Sequence, residues 1–237
     1  YKGDTLKDDK YGDQKMTIQV CNPPYSLKWS ADKKYLDDVR YSGVGKLAPK
    51  SHADLAFVQH MIYHMDEEDG RIAVLLPHGV LFRGGAEGMI RKYIIDKLNC
   101  LDAVIGLAPN LFHGTSIPVC ILILKAKRNG NSDDIFFIDA SKEFKAGKNQ
   151  NVLEQEHIDK IVDAYEKREN VDKFAYKAAM DEIIKNDYNL NIPRYVDTFE
   201  EEEPVDLDAV KAQIKTLDSE TKAAIDKAES FLRQLGL

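Results

Sequence analysis

The sequence predicts an α/β fold: the carboxyl half of a doubly wound sheet that ends in an antiparallel hairpin, followed by a helical C-terminal extension. Short apolar runs of strand length alternate with stretches whose apolar residues recur every three or four positions. The last two runs, Ile117–Leu124 and Ile135–Ile138, are joined by a polar segment with an Asn-Gly-Asn turn, which predicts a hairpin at the sheet edge. From residue 207 onward, the apolar residues instead follow a coiled-coil period.

The composition indicates a soluble globular chain in a reducing compartment. Its 237 residues are 43% hydrophobic and carry a formal net charge of −7, which argues against a domain that grips phosphate backbones without help. Cys21, Cys100 and Cys120 are too far apart for a metal motif or a disulfide framework, so we expect a cytoplasmic protein. No apolar run is long enough to span a membrane. Because the chain begins with Tyr1, we expect that it continues upstream in the natural protein.

The first apolar run, Met16–Cys21, predicts a buried strand that stops at Asn22-Pro23-Pro24-Tyr25, hereafter the NPPY turn. Two prolines end a strand because they supply no ladder donor. A side-chain amide, backbone carbonyls and an aromatic ring at the carboxyl end of a strand suit a planar nitrogen base. The alternative is a rigid turn in which the asparagine only caps the loop.

The long connection after the NPPY turn, residues 26–50, mixes Trp29, Tyr35 and Tyr41 with lysines and an arginine. Such a mixture could stack on an unpaired base and contact phosphates, or it could be an unremarkable surface loop.

A helix is predicted for Ser51–Met65, with Ser51 and Asp54 at the spacing of a capping box. His60 and His64 are four residues apart, as in a zinc pair, but position 61 is not the glutamate of that motif and no third ligand is evident. We therefore expect no bound metal.

The remaining elements are predicted from the same patterns. Glycines 84, 85 and 88 before a helix are expected to serve backbone conformation rather than a dinucleotide site. Four consecutive glutamates indicate a solvated linker. The predicted strands are Ile72–Leu76, Leu101–Leu107 and an edge strand at Tyr188–Ile192; the predicted helices are Glu154–Lys167 and Phe174–Lys185; the linker is Glu200–Glu203.

The tail has the clearest periodicity in the chain. Its apolar seam alternates steps of three and four residues, which predicts an extended helix that packs on a partner helix rather than on its own domain. The seam consists of Leu207, Val210, Ile214, Leu217, Thr221, Ala224, Ala228, Phe231 and Leu235. We accordingly divide the chain into a domain at 1–144, a helical and extended region at 145–203 and a coiled-coil helix at 204–237.

Several segments together resemble the modification (methyltransferase) subunit of type I restriction–modification systems, over essentially the whole chain. They are Asn-Pro-Pro-Tyr at 22–25, Ser-His-Ala-Asp-Leu-Ala-Phe at 51–57, Leu-Pro-His-Gly-Val-Leu-Phe-Arg-Gly-Gly-Ala-Glu at 76–87, Asn-Leu-Phe-His-Gly-Thr-Ser-Ile-Pro at 110–118, Gly-Lys-Asn-Gln-Asn at 147–151 and Asn-Asp-Tyr-Asn-Leu-Asn-Ile-Pro-Arg-Tyr at 186–195. The resemblance implies a Rossmann-like methyltransferase sheet.

The family transfers a methyl group from S-adenosylmethionine to the 6-amino group of adenine in double-stranded DNA. Carried over to this chain, the resemblance makes Asn22, Pro23, Pro24 and Tyr25 the catalytic motif. Asn22 and the Pro23 carbonyl would accept hydrogen bonds from the amino group, and Tyr25 would stack on an adenine flipped out of the duplex.

The chain also departs from the family pattern. The glycine-rich cofactor loop and the acidic residue that holds the cofactor's ribose have no counterpart here and would lie upstream of Tyr1. Gly3-Asp4-Thr5-Leu6 is similar to the segment near the cofactor's adenine, which makes Asp4 the one candidate cofactor contact. We therefore expect residues 1–237 alone to bind S-adenosylmethionine weakly or not at all, and to be inactive by themselves.

Within the family, a separate specificity subunit reads the DNA sequence and pairs with two modification subunits, and a restriction subunit joins the full complex. The resemblance implies that the C-terminal helix docks on the specificity subunit. Two alternatives remain: a non-catalytic assembly module, and a protein-glutamine methyltransferase, which has the same tetrapeptide and also acts on a planar amide nitrogen.

Overall fold

A computed structural model describes residues 2–198 and 207–234. Its strands are β1 (Ile18–Cys21), β2 (Arg71–Pro77), β3 (Leu101–Leu107), β4 (Val119–Lys125), β5 (Asp134–Ala140) and β6 (Ala175–Ala179). Its α-helices are α1 (Asp54–Tyr63), α2 (Gly79–Phe82), α3 (Gly85–Lys92), α4 (Gln155–Lys167), α5 (Met180–Lys185) and α6 (Leu207–Gln234). The chain divides into two units, residues 1–198 with the sheet and residues 199–237 with α6.

The six strands form one mixed sheet in the order β1-β2-β4-β3-β5-β6. β1 is parallel to β2, and β3 is parallel to β5, while β4 runs antiparallel between β2 and β3. β1, β2, β3 and β5 therefore all point the same way, and their carboxyl ends lie along one edge of the sheet. This is the edge at which open α/β sheets bind their ligands. The predicted mixed α/β sheet is confirmed.

Each face of the sheet has its own hydrophobic core. On the first face, α1, α3 and the segment 188–196 pack on β2, on β4 and on Ile135 and Phe137 of β5. On the second face, α4 packs through Ile161 and Ala164 on β3, β5 and β6. The close packing of the first face needs a glycine in β3, because a Cβ on Gly106 would lie 2.6 Å from Cδ1 of Ile192.

The predicted hairpin between the fourth and fifth strands is wrong. β4 does not pair with β5; it pairs with β2 over its full length and with β3 on its other side. The antiparallel connection is therefore β3 to β4, and the sheet continues past β5 to β6. The Asn-Gly-Asn turn at 129–131 lets the chain cross to the far side of β3 instead of folding straight back.

Three further predictions are corrected. The first strand is at the edge, and its Ile18 and Val20 are 73% and 81% exposed rather than buried. Phe174–Lys185 is not one helix, because its first half pairs with β5 as β6 before α5 begins. Tyr188–Ile192 is not a strand: Asp187 and Tyr188 are left-handed, at φ 53° and 55°, and a 3-10 turn follows.

The other predicted elements either agree with the structure or lie outside the residues that it describes. α4 matches its predicted span closely, with Glu154 and His157 forming a capping box. α6 is one uninterrupted helix over the described part of the tail. Glu200–Glu203 and Leu235 lie outside the described residues. Among the helices of the described residues, none combines the length and the apolarity that crossing a membrane requires.

A buried charge cluster joins the amino ends of β3 and β5 to α4. Asp102 is fully buried, and it lies 3.0 Å from Lys125 Nζ, 3.2 Å from Arg168 Nη1 and 3.6 Å from Arg128 Nε. Tyr165 donates its hydroxyl to Asp102 at 2.6 Å. Burial alone would raise the pKa of Asp102, but the bonds from Tyr165 and Lys125 and the charge of Arg168 outweigh it, and the pKa is lowered.

We expect Asp102→Asn to destabilise the sheet unit by about 3–5 kcal/mol, because it leaves three cations with one carboxylate fewer in a buried site. Urea unfolding of the variant and the unmodified chain measures the loss. Asp163→Asn, which removes one partner of the exposed Asp163–Lys167 pair, is the control and should leave the transition midpoint in place. Equal midpoints for Asp102→Asn and the unmodified chain would contradict the assignment.

Candidate active site

The sequence motifs converge on the carboxyl edge of the sheet. The NPPY turn follows β1, His78 follows β2, and residues 108–118 connect β3 to β4 at the same edge. The Nε2 atom of His78 is 3.0 Å from the carbonyl of Val119, which links the end of β2 to the start of β4. Burial lowers the pKa of His78.

The NPPY turn presents one free polar side chain. Pro23 is buried, while Asn22 and Pro24 are exposed. Among the described residues, no partner hydrogen-bonds to the Asn22 amide. The amide oxygen and amino group of Asn22 are therefore available to a ligand.

Tyr25 turns inward from the NPPY turn. Its ring is half-buried and packs against the second-face core, and its hydroxyl is buried with no hydrogen-bond partner in the described structure. Burial, and then the neighbouring Cys120, raises the pKa of the Tyr25 hydroxyl. The ring contributes an apolar surface to the edge rather than a titrating group.

Two hydrogen bonds to the start of α1 hold the backbone that follows the NPPY turn. Ser26 is left-handed, at φ 51°, and its N–H donates to Oδ1 of Asp54 at 2.9 Å. The N–H of Ala53 in turn donates to the carbonyl of Leu27 at 3.0 Å. The predicted capping box is wrong, because α1 begins at Asp54 after Ala53 and has no side-chain cap. Asp54 instead hydrogen-bonds to a residue far away in sequence.

The aromatic residues of the 26–50 connection form a cluster of their own. Trp29 stacks on Tyr35 with ring centroids 5.6 Å apart, and Tyr41 packs against both rings. All three are buried, and Trp29 Nε1 donates to the carbonyl of Pro49. The prediction that they stack on an unpaired base is therefore wrong, whereas most residues of the connection are exposed, as expected for a surface loop.

Two of the segments that resemble type I modification subunits contact each other at the loop after β3. The side chain of Asn151 donates to the carbonyl of Pro109 at 2.9 Å, and its N–H donates to the carbonyl of Asn110 at 2.8 Å. Asn110 is left-handed, at φ 57°. The segment at 147–151 therefore restrains the start of the loop at 110–118, a contact that the spacing in the sequence did not indicate.

The candidate cofactor contact, Asp4, lies in a partly exposed turn. Its Oδ1 accepts from the N–H of Leu6 at 3.1 Å, and its Oδ2 is 3.3 Å from Lys7 Nζ. A cavity of about 120 Å³ opens beside it, lined by Gly3, Thr5 and their neighbours. Small-molecule sites usually measure about 300–1,000 Å³. The cavity is therefore smaller than a site for a whole nucleoside cofactor, and Asp4 flanks its lining residues without being one of them.

Asp9, His60 and His64 offer three candidate metal ligands within 4.8 Å of one another. Asp9 is the third ligand that the sequence did not reveal, because it comes from a distant loop. The guanidinium of Arg40 lies 3.1 Å from His60 Nδ1 and 3.9 Å from Asp9 Oδ2, so a cation here would face a second positive charge. The contacts favour a structural hydrogen-bond cluster, and the absence of a metal stays a prediction.

Residues 1–204 match the family model of the N-6 DNA Methylase family. The chain belongs to that family. Among its relatives is the methylase subunit of the type I restriction enzyme MpnII of Mycoplasma pneumoniae, 40% identical over 90% of this chain and 38% of the relative. The MjaVII methylase subunit of Methanocaldococcus jannaschii is 36% identical over 98% of this chain and 41% of the relative. The chain thus spans about two-fifths of the length of these curated relatives.

Solved structures of the same family share the fold. The methyltransferase subunit of a type I restriction–modification system from Streptococcus thermophilus is 54% identical, with a TM-score of 0.79, over 83% of this chain and 41% of that one. The EcoKI M protein is 21% identical with a TM-score of 0.61 over 99% of this chain and 53% of that one, which shows the fold alone. The resemblance to type I modification subunits is confirmed.

We expect His60 to make the stability of the chain sensitive to acid. Burial, and then the neighbouring His64, lowers the pKa of His60 to about 4, whereas an unfolded histidine titrates near 6.5. The stabilisation is complete above about pH 6.5 and is lost as the pH falls toward 4, with a slope of at most about 1.4 kcal/mol per pH unit.

We expect His60→Gln to flatten the fall in unfolding free energy between pH 6.5 and 4.5, measured by urea unfolding at several pH values. Gln59→Ala on the same helix removes a buried side chain that does not titrate, so it should lower stability without changing the slope. An unchanged slope in His60→Gln would show that another group causes the acid sensitivity.

Proposed function

We propose that the protein containing this chain is an S-adenosylmethionine-dependent adenine-N6 DNA methyltransferase, the modification subunit of a type I restriction–modification system. The observation that supports it most directly is the free amide of Asn22, presented beside the buried Pro23 at the ligand-binding edge of a sheet of the N-6 DNA methylase family. The names of the relatives favour DNA over a protein-glutamine substrate.

The residues of the NPPY turn would work by positioning and polarisation. The Asn22 side-chain oxygen and the Pro23 carbonyl accept hydrogen bonds from the 6-amino group of an adenine, which localises the nitrogen lone pair. Tyr25 lies next to this position and would present its ring to a base flipped out of the duplex. The turn contains no N–H at Pro23 or Pro24 to compete for these acceptors.

S-adenosylmethionine supplies the methyl group on its sulfonium sulfur. The adenine nitrogen held at Asn22 and Pro23 would accept this methyl group and then release its extra proton to solvent. Asp4 is the residue of this chain that we propose to contact the cofactor, at the adenine end. The cavity beside Asp4 is small, which agrees with our expectation that residues 1–237 bind the cofactor weakly by themselves.

We also propose that the C-terminal helix is a docking element for the specificity subunit. The apolar residues of α6 are exposed, including Ile214 at 52%, Leu217 at 61% and Phe231 at 54%. These three belong to one seam with a coiled-coil period, and such a seam is stable in water only when a partner helix covers it. The relatives are named as subunits, which implies assembly with other chains.

Asn22→Ala in the whole modification subunit, assembled with its partners, should lower kcat for methyl transfer to unmethylated DNA by about 100-fold or more, because one polarising acceptor is lost. Asn22→Asp keeps an acceptor and should retain more activity than Asn22→Ala. Asn131→Ala, at the opposite sheet edge, is the control and should match the unmodified enzyme. Transfer of tritiated methyl groups measures all three. Full activity of Asn22→Ala would exclude the proposed role.

Ile214→Asp combined with Leu217→Asp should abolish co-elution with the specificity subunit in size-exclusion chromatography, because two charges enter the apolar seam. Thr216→Asp combined with Ser219→Asp adds the same charge to other faces of the helix and should leave assembly intact. Assembly of the Ile214/Leu217 variant would contradict docking through this seam.

A further inference from the structure

We propose that Asp54 is a positioning residue that fixes the exit of the NPPY turn and thereby the orientation of Asn22 and Tyr25. This inference rests on the function proposed above. It starts from the contact between Asp54 and Ser26, the residue that immediately follows Tyr25.

Ser26 adopts a conformation that needs outside support. Its φ of 51° is left-handed, which is unfavourable for a residue with a Cβ because the Cβ crowds the following carbonyl oxygen. The hydrogen bond from its N–H to Asp54 Oδ1, at 2.9 Å, offsets that cost. The turn in the chain at Ser26 decides where the Tyr25 ring and the preceding carbonyls point, so a change of φ there would re-aim the whole NPPY turn.

Asp54 is itself held rigidly. It is fully buried at the first position of α1, and the next residue, Leu55, packs in the first-face core. The reciprocal bond from Ala53 N–H to the Leu27 carbonyl fixes the same two chain segments at a second point. The Asp54 carboxylate therefore couples the position of the NPPY turn, which lies outside regular secondary structure, to the position of α1.

Arg83 supplies the counter-charge. Its Nη1 lies 3.8 Å from the second oxygen of Asp54 and 3.3 Å from Glu87, which is also buried. The guanidinium packs closely over Gly79, where a Cβ would come within 2.3 Å of the guanidinium carbon, so a larger residue there would displace it. Arg83, which follows β2, therefore contacts Asp54, the residue that fixes the chain after β1.

The experiment compares Asp54→Ala, Asp54→Asn and Asp66→Ala in the whole modification subunit assembled with its partners. Asp66 is the matched control, because its carboxylate accepts backbone N–H groups of Glu68 and Asp69 at 3.0 Å in a loop before β2. Two quantities are measured: hydrogen exchange at the Ser26 amide, and kcat for adenine methylation together with equilibrium binding of S-adenosylmethionine.

Asp54→Ala should speed exchange at Ser26 by roughly 10–100-fold, since a bond to a charged group is lost. It should lower kcat by on the order of 10–100-fold while cofactor binding stays unchanged. Asp54→Asn keeps the acceptor and should recover most of both quantities, and Asp66→Ala should change neither. Exchange in β3 is followed in the same samples to separate local loosening from unfolding.

Unchanged exchange at Ser26 and unchanged kcat in Asp54→Ala would overturn the inference, as would a loss that Asp54→Asn does not relieve. If the unmodified assembly methylated no adenine, the proposed function would fail, and the exchange result would still decide whether Asp54 holds the turn.

Discussion

The sheet depends on β4, the antiparallel strand at its centre. β4 hydrogen-bonds to β2 on one side and to β3 on the other, and all its side chains are at least partly buried. Without β4, the parallel pairs β1–β2 and β3–β5 would share no ladder. The common edge on which the NPPY turn, His78 and the loop after β3 meet exists only because this one strand joins the two pairs.

At that edge, polar side chains hydrogen-bond to the loops that follow β1, β2 and β3 and restrain them. Asp54 fixes the chain after β1, and Asn151 restrains the chain after β3. Arg91 is buried and donates to the carbonyls of Val80, Arg83 and Tyr188, so it fastens the chain after β2 to the segment that crosses the first face. Asp54 and Arg91 are buried, so an unmatched polar group at either position would be costly. These contacts restrain the loops of the edge at defined points.

Sequence patterns predicted what is local. The apolar runs placed β1 to β5, the helical period placed α4 and the coiled-coil period placed α6, whereas β6 was predicted as helix. The prolines at 23 and 24 ended β1 where expected, which located the candidate site. Strand order was not accessible in the same way, because the apolar run of β4 is equally compatible with pairing to β5 as with insertion between β2 and β3.

The roles of individual polar residues were also hidden in the sequence. Asp54 has the spacing of a capping residue relative to Ser51, and only the fold shows that its partner is Ser26. Trp29, Tyr35 and Tyr41 have the composition of a nucleic-acid surface, yet they bury one another. In each case a long-range contact overrides a short-range pattern, and such contacts become evident only from the folded chain.

The position of β1 has a consequence for contacts with other chains. Among the described residues β1 pairs with β2 alone, and it presents Ile18 and Val20 to solvent. An extended peptide that reaches it would gain a ladder of hydrogen bonds and would also shield two aliphatic side chains from water. Both effects would be the same for a strand of the natural protein and for β1 of a second copy of the chain. β1, like β6 at the other end of the sheet, is therefore an edge at which a further strand can add to the isolated chain.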